Sequence, residues 1–320
     1  MEKRKPNILV TIALVLLVLA AIVCVVVFLS SLGGGKTPSI DNTTPSDAQL
    51  STEPSESDAL SPEPGAVTEA ETPTEPSQPL FDAAALQAEL DDCLDGLTSS
   101  WQVSVIDVAS GTVVNSVVNC KEEELMVAAD LPELFIMAAV YDQLQSGKLT
   151  EDQVSGLLTE MIREDKDSAS NELTKLLGGG DGAQGRKAVN EFAKAIGCNN
   201  VEFNRLFGEQ GTQNYVTAGD CAKLLQMIAR GECVSQEASA KMQELMTGAP
   251  GERIPGGAPT GASVAHLNAN ITGTCCADAG IVSTDSGEIV IAIVCNNPFT
   301  NEGSTKKCVE ITQLVSKYLG

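Results

Sequence analysis

The stretch that most constrains this chain is Val127–Tyr141, which reads V-A-A-D-L-P-E-L-F-I-M-A-A-V-Y. After Pro132 the residues are apolar on nearly every helical face, which is typical of a helix buried on all sides at the centre of a domain. Its first turn is polar, with Asp130 before the proline and Glu133 after it. The start of a helix gathers unpaired backbone N–H groups and the positive end of the helix dipole, so this turn serves either capping or chemistry.

Capping is the simpler interpretation of the turn. The segment Asp130-Leu-Pro-Glu133 fits an N-cap followed by an acid at the third helical position, in which each side chain bonds a free backbone N–H. Negative charge is also stabilised at this end of the dipole. We therefore favour capping over catalysis for both acids.

Hydrophobic periodicity divides residues 79–320 into two strands, a block of helices, three further strands and a last helix. The predicted strands are Trp101–Val108, Thr112–Asn119, Ala262–Ala269, Asp278–Thr284 and Glu288–Cys295. The helices predicted around the central one are Phe81–Leu97, Thr150–Met161, Ser168–Leu177, Gly182–Ile196, Gly219–Arg230, Ser235–Met246 and Glu302–Leu319. Strands at both ends of the module favour one antiparallel sheet covered by terminal helices, beside a helical subdomain: an α+β fold.

The central stretch resembles the nucleophile helix of the serine β-lactamase and penicillin-binding-protein superfamily, in which A-S-x-x-K-L opens a buried helix. Asp130 stands at the serine position and Glu133 at the lysine position. The resemblance covers roughly Phe81 to Gly320. It implies a β-lactamase/transpeptidase-like fold, with a five-stranded antiparallel sheet flanked by N- and C-terminal helices plus an all-helical subdomain. It also implies that the first helix ends near the start of the last, which makes Cys93 and Cys308 the expected disulfide.

The second family motif is substituted as well. The run M-I-R-E-D-K-D-S-A-S-N resembles M-I-x-x-S-D-N-x-A-x-N, which places Asp165, Lys166 and Asp167 at the Ser-Asp-Asn positions. Without the resemblance, such a charged run is typical of a solvated loop. The family's Ω-loop falls at Val201–Tyr215, which lacks the deacylating glutamate of class A β-lactamases; Glu202 and Glu209 lack its context.

The third motif is also replaced. The approach R-I-P-G-G-A-P-T-G-A-S-V-A-H leads to Leu267, Asn268 and Ala269, where the family has Lys-Thr-Gly. Loss of the lysine removes the group that holds the substrate carboxylate. His266 has no Ser or Cys partner signalled by the sequence, and we interpret it as an ordinary strand-edge histidine.

The N-terminal part of the chain predicts a membrane anchor. Ile8–Leu29 is an almost unbroken apolar run, long enough to cross a bilayer, and three basic residues precede it. We expect a cytoplasmic tail over residues 1–7, an uncleaved transmembrane segment over 8–32, and an extracellular location for everything beyond. A cleaved signal peptide is the alternative, although the run is long for one and lacks an A-x-A site.

Residues 33–78 predict a disordered, acidic linker rich in Pro, Ser and Thr, because such a composition buries too little apolar surface to offset the entropy of ordering. Residues 79–320 then form the extracellular domain. The formal net charge of −23 and the 3% aromatic content argue against nucleic acid.

The chain has ten cysteines, nine of them beyond the apolar run, which suggests a partly disulfide-bonded, exported domain. The adjacent Cys275 and Cys276 are expected to have separate partners. No C-x-x-C pair occurs and there is one histidine, so we predict neither a zinc site nor a cofactor.

Together these substitutions predict a non-catalytic member of the superfamily that binds or scaffolds at the cell wall, with peptidoglycan or a cell-envelope protein as partner. An active β-lactamase or D,D-peptidase is the first alternative, with Ser168 or Ser170 as the nucleophile. The second is a cleft that binds Ca²⁺ through carboxylate oxygens. Its ligands would be Asp130, Glu133, Asp165 and Asp167.

Overall fold

The structure is a computed structural model that describes residues 81–319. The cytoplasmic tail, transmembrane segment and linker predicted over residues 1–78 lie outside the described residues. Within residues 81–319, no helix combines the length and the apolar character needed to cross a membrane.

One antiparallel sheet of five strands organises the domain, in the order β2-β1-β7-β6-β5. The strands are β1 (Ser100–Asp107), β2 (Val113–Val118), β5 (Ser263–Ile271), β6 (Cys275–Thr284) and β7 (Gly287–Asn296). Strand β7 lies in the middle and reads as an unbroken apolar run from Ile289 to Cys295. Every residue of that run is buried, because layers of side chains cover both faces of the sheet.

Nine helices are present in residues 81–319. They are α1 (Ala83–Leu94), α2 (Pro132–Gln145), α3 (Glu151–Glu164), α4 (Asp167–Leu177), α5 (Gly182–Ala195), α6 (Ala218–Ala229), α7 (Gln236–Met246), α8 (Arg253–Gly257) and α9 (Asn301–Ser316). The terminal helices α1 and α9 share one hydrophobic cluster with one face of the sheet. Helix α2 lies within the cluster on the other face, among the remaining long helices. The α+β fold predicted from the sequence is confirmed.

The predicted helices and strands are present in the structure, but several begin or end at different residues. Strand β6 begins at Cys275, three residues before the predicted start, because its first residues pair with both β5 and β7. Sequence patterns did not predict the pair β3 (Met126–Val127) and β4 (Tyr215–Val216), since two residues carry no periodicity. The short helix α8 was missed for the same reason, and because its sequence contains a proline and two glycines.

The predicted Cys93–Cys308 disulfide is wrong. All nine cysteines of residues 81–319 are free thiols. The ends of α1 and α9 do meet, since Lys307 Nζ lies 3.3 Å from the Cys93 carbonyl oxygen. The Cys93 thiol, however, contacts Glu310 at the rim, whereas Cys308 is fully buried.

Candidate functional site

The start of α2 brings Asp130 and Glu133 to the centre of the domain. Every residue from Pro132 to Tyr141 is buried. Ala129 has a φ of 47°, which turns the chain sharply before the helix begins. The predicted capping box is wrong: Leu131 is the N-cap residue, and no side chain caps this helix.

The Asp130 carboxylate instead reaches across to β5. Its Oδ2 accepts a hydrogen bond from the backbone N–H of Asn270 at 3.2 Å, and its own backbone N–H lies beside the carboxylate and favours its charged form. Two converging backbone N–H groups are the arrangement that stabilises an oxyanion in acyl transfer. In this chain a side-chain carboxylate occupies that position.

The pKa of Asp130 is raised to about 6, mainly by burial; the backbone N–H groups of Asn270 and Asp130 lower it, and the negative charges of Asp165 and Asp167 raise it. Asp130 is therefore a carboxylate that is ionised above about pH 6.

Glu133 lies below this position with only 1% of its surface exposed. Its Oε1 is 2.5 Å from the Ser170 hydroxyl, and its Oε2 has no hydrogen-bond partner. Ser170 Oγ also lies 3.3 Å from the carbonyl oxygen of Lys166. The Ser170 hydroxyl is the donor to Oε1, and among residues 81–319 no cation is paired with the buried Glu133 carboxyl group to stabilise its charge.

The pKa of Glu133 reflects its burial. Burial raises it well above the ordinary value; the Ser170 hydrogen bond lowers it, and the charges of Asp130, Asp165 and Asp167 raise it. A neutral carboxylic acid at the lysine position is neither a proton acceptor for a nucleophile nor a positive charge. Glu133 is thus a structural group, held through Ser170, and not the capping residue predicted from the sequence.

The three residues at the second motif position lie in two different environments. Lys166 extends outward and pairs with Glu164 at 2.6 Å and with Glu160 at 3.4 Å, as expected of a solvated run. Asp165, with a φ of 55°, and Asp167 instead line the cavity at the start of α2. Burial and the neighbouring Asp165 raise the pKa of Asp167.

The third motif provides no positive charge at the edge of β5. Leu267 and Ala269 are buried apolar residues, 4% and 0% exposed. The amide of Asn268 accepts a hydrogen bond from Arg253 of α8, which also donates to the Ala277 carbonyl at 3.0 Å. The contribution of this strand to the site is therefore the backbone N–H of Asn270.

His266 lies on β5, an edge strand of the sheet, as predicted from the sequence, and its side chain is buried and hydrogen-bonded. It is 1% exposed; Nδ1 lies 2.9 Å from Asp278 Oδ1 and Nε2 lies 3.1 Å from the Ala249 carbonyl oxygen. Burial lowers its pKa, but the hydrogen bond and charge of Asp278 outweigh burial, and the pKa is raised. Gly280 makes room for His266, since a Cβ at position 280 would lie 2.6 Å from the Cβ of His266. The pair is a support for β5.

A cavity of about 340 Å³ lies beside the start of α2. Its lining residues are Ala129, Asp130, Asp165, Asp167, Arg205, Phe207, Gly208, Gln213, Asn214, Asn270 and Ile271. Arg205 is the one cationic residue in this lining, and its guanidinium is bound to the Glu209 carbonyl at 2.7 Å and to Gln213 Oε1 at 2.5 Å. The lining therefore carries three carboxyl groups, those of Asp130, Asp165 and Asp167, and one arginine whose guanidinium is already hydrogen-bonded to Glu209 and Gln213.

Several predicted residues do not reach the cavity. Glu133, Lys166, Leu267, Asn268 and Ala269 are absent from its lining. Neither of the two Ω-loop glutamates, nor either of the two candidate serines, lines it. Within residues 81–319, no three His, Cys, Asp or Glu side chains are arranged to hold a metal ion, so the Ca²⁺ alternative gains no support.

Sequence reasoning missed Asn270 and Arg253. Asn270 acts through its backbone, which no residue type signals. Arg253 is the only arginine in the segment that leads to the third motif. Its contacts with Asn268 and Asn270 could not be predicted, because they depend on the position of α8 beside β5.

The fold matches solved structures of β-lactamases and of a protein named PBP-A. The PBP-A structure has a TM-score of 0.64 and 19% identity, and the match covers 73% of this chain and 95% of that one. The TLA-1 extended-spectrum β-lactamase has a TM-score of 0.65 and 18% identity, covering 74% and 99%. A β-lactamase from Sphaerobacter thermophilus DSM 20745 has a TM-score of 0.63 and 18% identity, covering 74% and 97%.

At these identities the structural matches show the fold alone. A search of curated protein sequences finds no match. The family model described as the beta-lactamase enzyme family matches residues 153–319, which is just over half of the 320 residues. This chain belongs to the beta-lactamase enzyme family.

Proposed function

We propose that the β-lactamase-like domain forms no acyl-enzyme and acts as a binding or scaffolding module at the cell wall. The observation that carries this proposal is the position of the Asp130 carboxylate. It accepts a hydrogen bond from the backbone N–H of Asn270 and lies beside its own N–H, in the place that an acyl oxygen would need. A substrate carbonyl cannot enter while the side chain remains there.

The chemistry of the neighbouring groups supports the proposal. A serine mechanism needs a hydroxyl, a proton acceptor and free oxyanion donors. Attack by Asp130 would give an anhydride, and the neutral Glu133 cannot take a proton from any nucleophile. The acidic cavity also repels the carboxylate that penicillins carry.

The alternative of an active serine hydrolase has no geometric support in residues 81–319. Ser168 is exposed and Ser170 is 0% exposed and bound to Glu133. We expect no nitrocefin turnover by the full-length protein beyond the buffer rate, with an active class A β-lactamase as positive control. Turnover that disappears in Ser168→Ala or Ser170→Ala would overturn the proposal.

We further propose that residues 8–32 anchor the chain in the membrane and that the domain faces the cell wall. The cavity favours a partner that presents an ammonium or amide group, since its lining carries Asp130, Asp165 and Asp167. Peptidoglycan peptides and cell-envelope proteins both offer such groups.

Cosedimentation of the full-length protein with purified peptidoglycan tests this partner. We expect binding that weakens with salt and falls severalfold in Asp165→Asn/Asp167→Asn. Asp285→Asn, in the exposed β6–β7 turn, is the matched control and should bind as the parent does. Equal binding by both variants would exclude the cavity as the binding site.

A further inference from the structure

A second polar cavity lies between the start of α6 and the β1–β2 hairpin, and it shares no lining residue with the cavity at the start of α2. Its volume is about 150 Å³. That is enough for one small molecule or a few waters, since a water takes up about 30 Å³ of the liquid. The lining carries three carboxyl groups, those of Glu122, Glu123 and Asp220, and contains no lysine, arginine or histidine.

The buried hydroxyl of Ser104 has no partner in this cavity. Ser104 lies on β1, lines the cavity and is 1% exposed, yet among the described residues its Oγ makes no hydrogen bond. Side chains two residues apart on a strand point to the same face of the sheet, and Gln102 Oε1 accepts a hydrogen bond from the backbone N–H of Ala218 in α6. The Ser104 hydroxyl is therefore on the α6 side of the sheet. A buried polar group without a partner is costly, and a ligand in the cavity would provide one.

The buried Gln102 holds the walls of the cavity in place. It is 2% exposed, and its Nε2 donates to the carbonyl oxygens of Lys121 at 2.7 Å and of Glu124 at 2.8 Å. These two residues flank the two glutamates of the lining in the sequence. The Oε1 of the same glutamine accepts from the N–H of Ala218 at 3.0 Å. The acidic loop and the start of α6 are therefore both attached to β1 before any ligand binds.

The start of α6 adds a hydrogen-bond donor to the lining. The N–H of Ala218 donates to Gln102, and the N–H of Asp220 donates to Thr217 Oγ1 at 3.2 Å. The N–H of Gly219, which also lines the cavity, has no acceptor among residues 81–319. The first N–H groups of a helix have no partner within the helix, so this one is available to a ligand.

We propose that this cavity binds a small primary amine with a neighbouring amide carbonyl, which is the chemistry of an amino-acid amide or of the first residue of a peptide. The three carboxyl groups attract the ammonium group. The carbonyl oxygen accepts from the N–H of Gly219, and the Ser104 hydroxyl forms a hydrogen bond with the ligand. Anions are disfavoured, because the start of a helix carries only about half a positive charge and the lining carries three acids.

Ligand-observed NMR with the full-length protein tests the proposal, with L-alaninamide as the probe. We expect saturation transfer from the protein to L-alaninamide and none to N-acetyl-L-alaninamide, which keeps the amide but has no ammonium group. Equal transfer to both compounds, or transfer to neither, would overturn the proposal.

A third compound, L-alanyl-L-alaninamide, separates the two sources of this chemistry. Transfer to it as well as to L-alaninamide supports the proposal with the end of a peptide as the ligand. Transfer to L-alaninamide alone supports it with a free amino-acid amide.

Variants locate the binding site. Ser104→Ala should weaken the binding of L-alaninamide severalfold without lowering the urea midpoint of the free protein, because the hydroxyl has no partner there to lose. Glu122→Gln/Glu123→Gln should also weaken binding severalfold, whereas Asp165→Asn/Asp167→Asn, in the other cavity, should keep the binding that Ser104→Ala loses. Binding that is lost only in Asp165→Asn/Asp167→Asn would overturn this inference and leave the peptidoglycan proposal standing.

Discussion

Asp130 and Glu133 lie three positions apart, yet their surroundings give them different roles. Asp130 is only partly buried and accepts a hydrogen bond from the backbone N–H of Asn270, so it remains able to ionise near neutral pH. Glu133 is sealed beneath it with Ser170 and stays neutral. At the residue scale, these two neighbouring acids are therefore an anion and a neutral acid.

Asp130→Asn tests this description through the pH dependence of stability. The folded pKa of Asp130, about 6, lies above that of an unfolded aspartate, so ionisation disfavours the folded state. The cost is absent below the unfolded pKa, grows between about pH 4 and pH 6, and is complete above that range. Asparagine stays neutral and keeps an oxygen for the N–H of Asn270. We expect Asp130→Asn to gain on the order of 2 kcal/mol over the parent at pH 8 and almost nothing at pH 4.

Urea unfolding from pH 4 to pH 8, followed by the fluorescence of the single tryptophan, measures this difference. Trp101 is 3% exposed in β1 and reports on the sheet. Asp285→Asn, in the exposed β6–β7 turn, is the control for removing one carboxylate away from the cavity. A difference for Asp130→Asn that is constant from pH 4 to pH 8 would be incompatible with a raised pKa at this residue.

At the scale of elements, the site depends on how closely its helices approach. Helices α4 and α5 cross at Gly185, where an added Cβ would lie 1.7 Å from the Thr174 carbonyl oxygen. Helix α4 carries Ser170, which holds Glu133, and it begins at Asp167 of the cavity. This crossing therefore positions Ser170, which binds Glu133, and Asp167, which lines the cavity.

Gly185→Ala should lower the free energy of unfolding by about 2–3 kcal/mol, because the backbones must separate to admit the methyl group. Gly156→Ala is the matched control, since that glycine also lies inside a helix but has no atom within 4 Å of the added Cβ. We expect the control to gain about 0.5–1 kcal/mol from helix propensity. Equal effects of the two substitutions would show that the α4–α5 crossing is not close.

The elements also show where sequence patterns stop being informative. The sequence patterns of β1, β7 and the long helices predicted them well, because each pattern extends over a long segment with many buried residues. The capping prediction at Asp130 failed because that rule considers only the N–H groups of the helix itself, whereas the actual partner is Asn270, on β5. Likewise His266 was assigned no role because Asp278 lies on a neighbouring strand.

At the scale of the whole molecule, the fold was predictable and the site was predictable only by position. The resemblance to the β-lactamase family implied that Asp130, Asp165 and Asp167 lie around one cleft, and they do line one cavity. Which of them ionise, and which groups they bind, depends on burial and on contacts between distant parts of the chain. The Cys93–Cys308 prediction failed at this level, since the two helix ends meet but Cys308 is turned toward the core.

The most direct test of the central claim is the intact mass of the full-length protein before and after incubation with penicillin. We predict an unchanged mass, because the carboxylate of Asp130 occupies the oxyanion position and no hydroxyl of residues 81–319 lines the cavity beside it. An active class A β-lactamase with slowed deacylation, treated in parallel, should gain the mass of one acyl group. The same gain in this protein would mean a working nucleophile and would contradict the claim that the domain is non-catalytic.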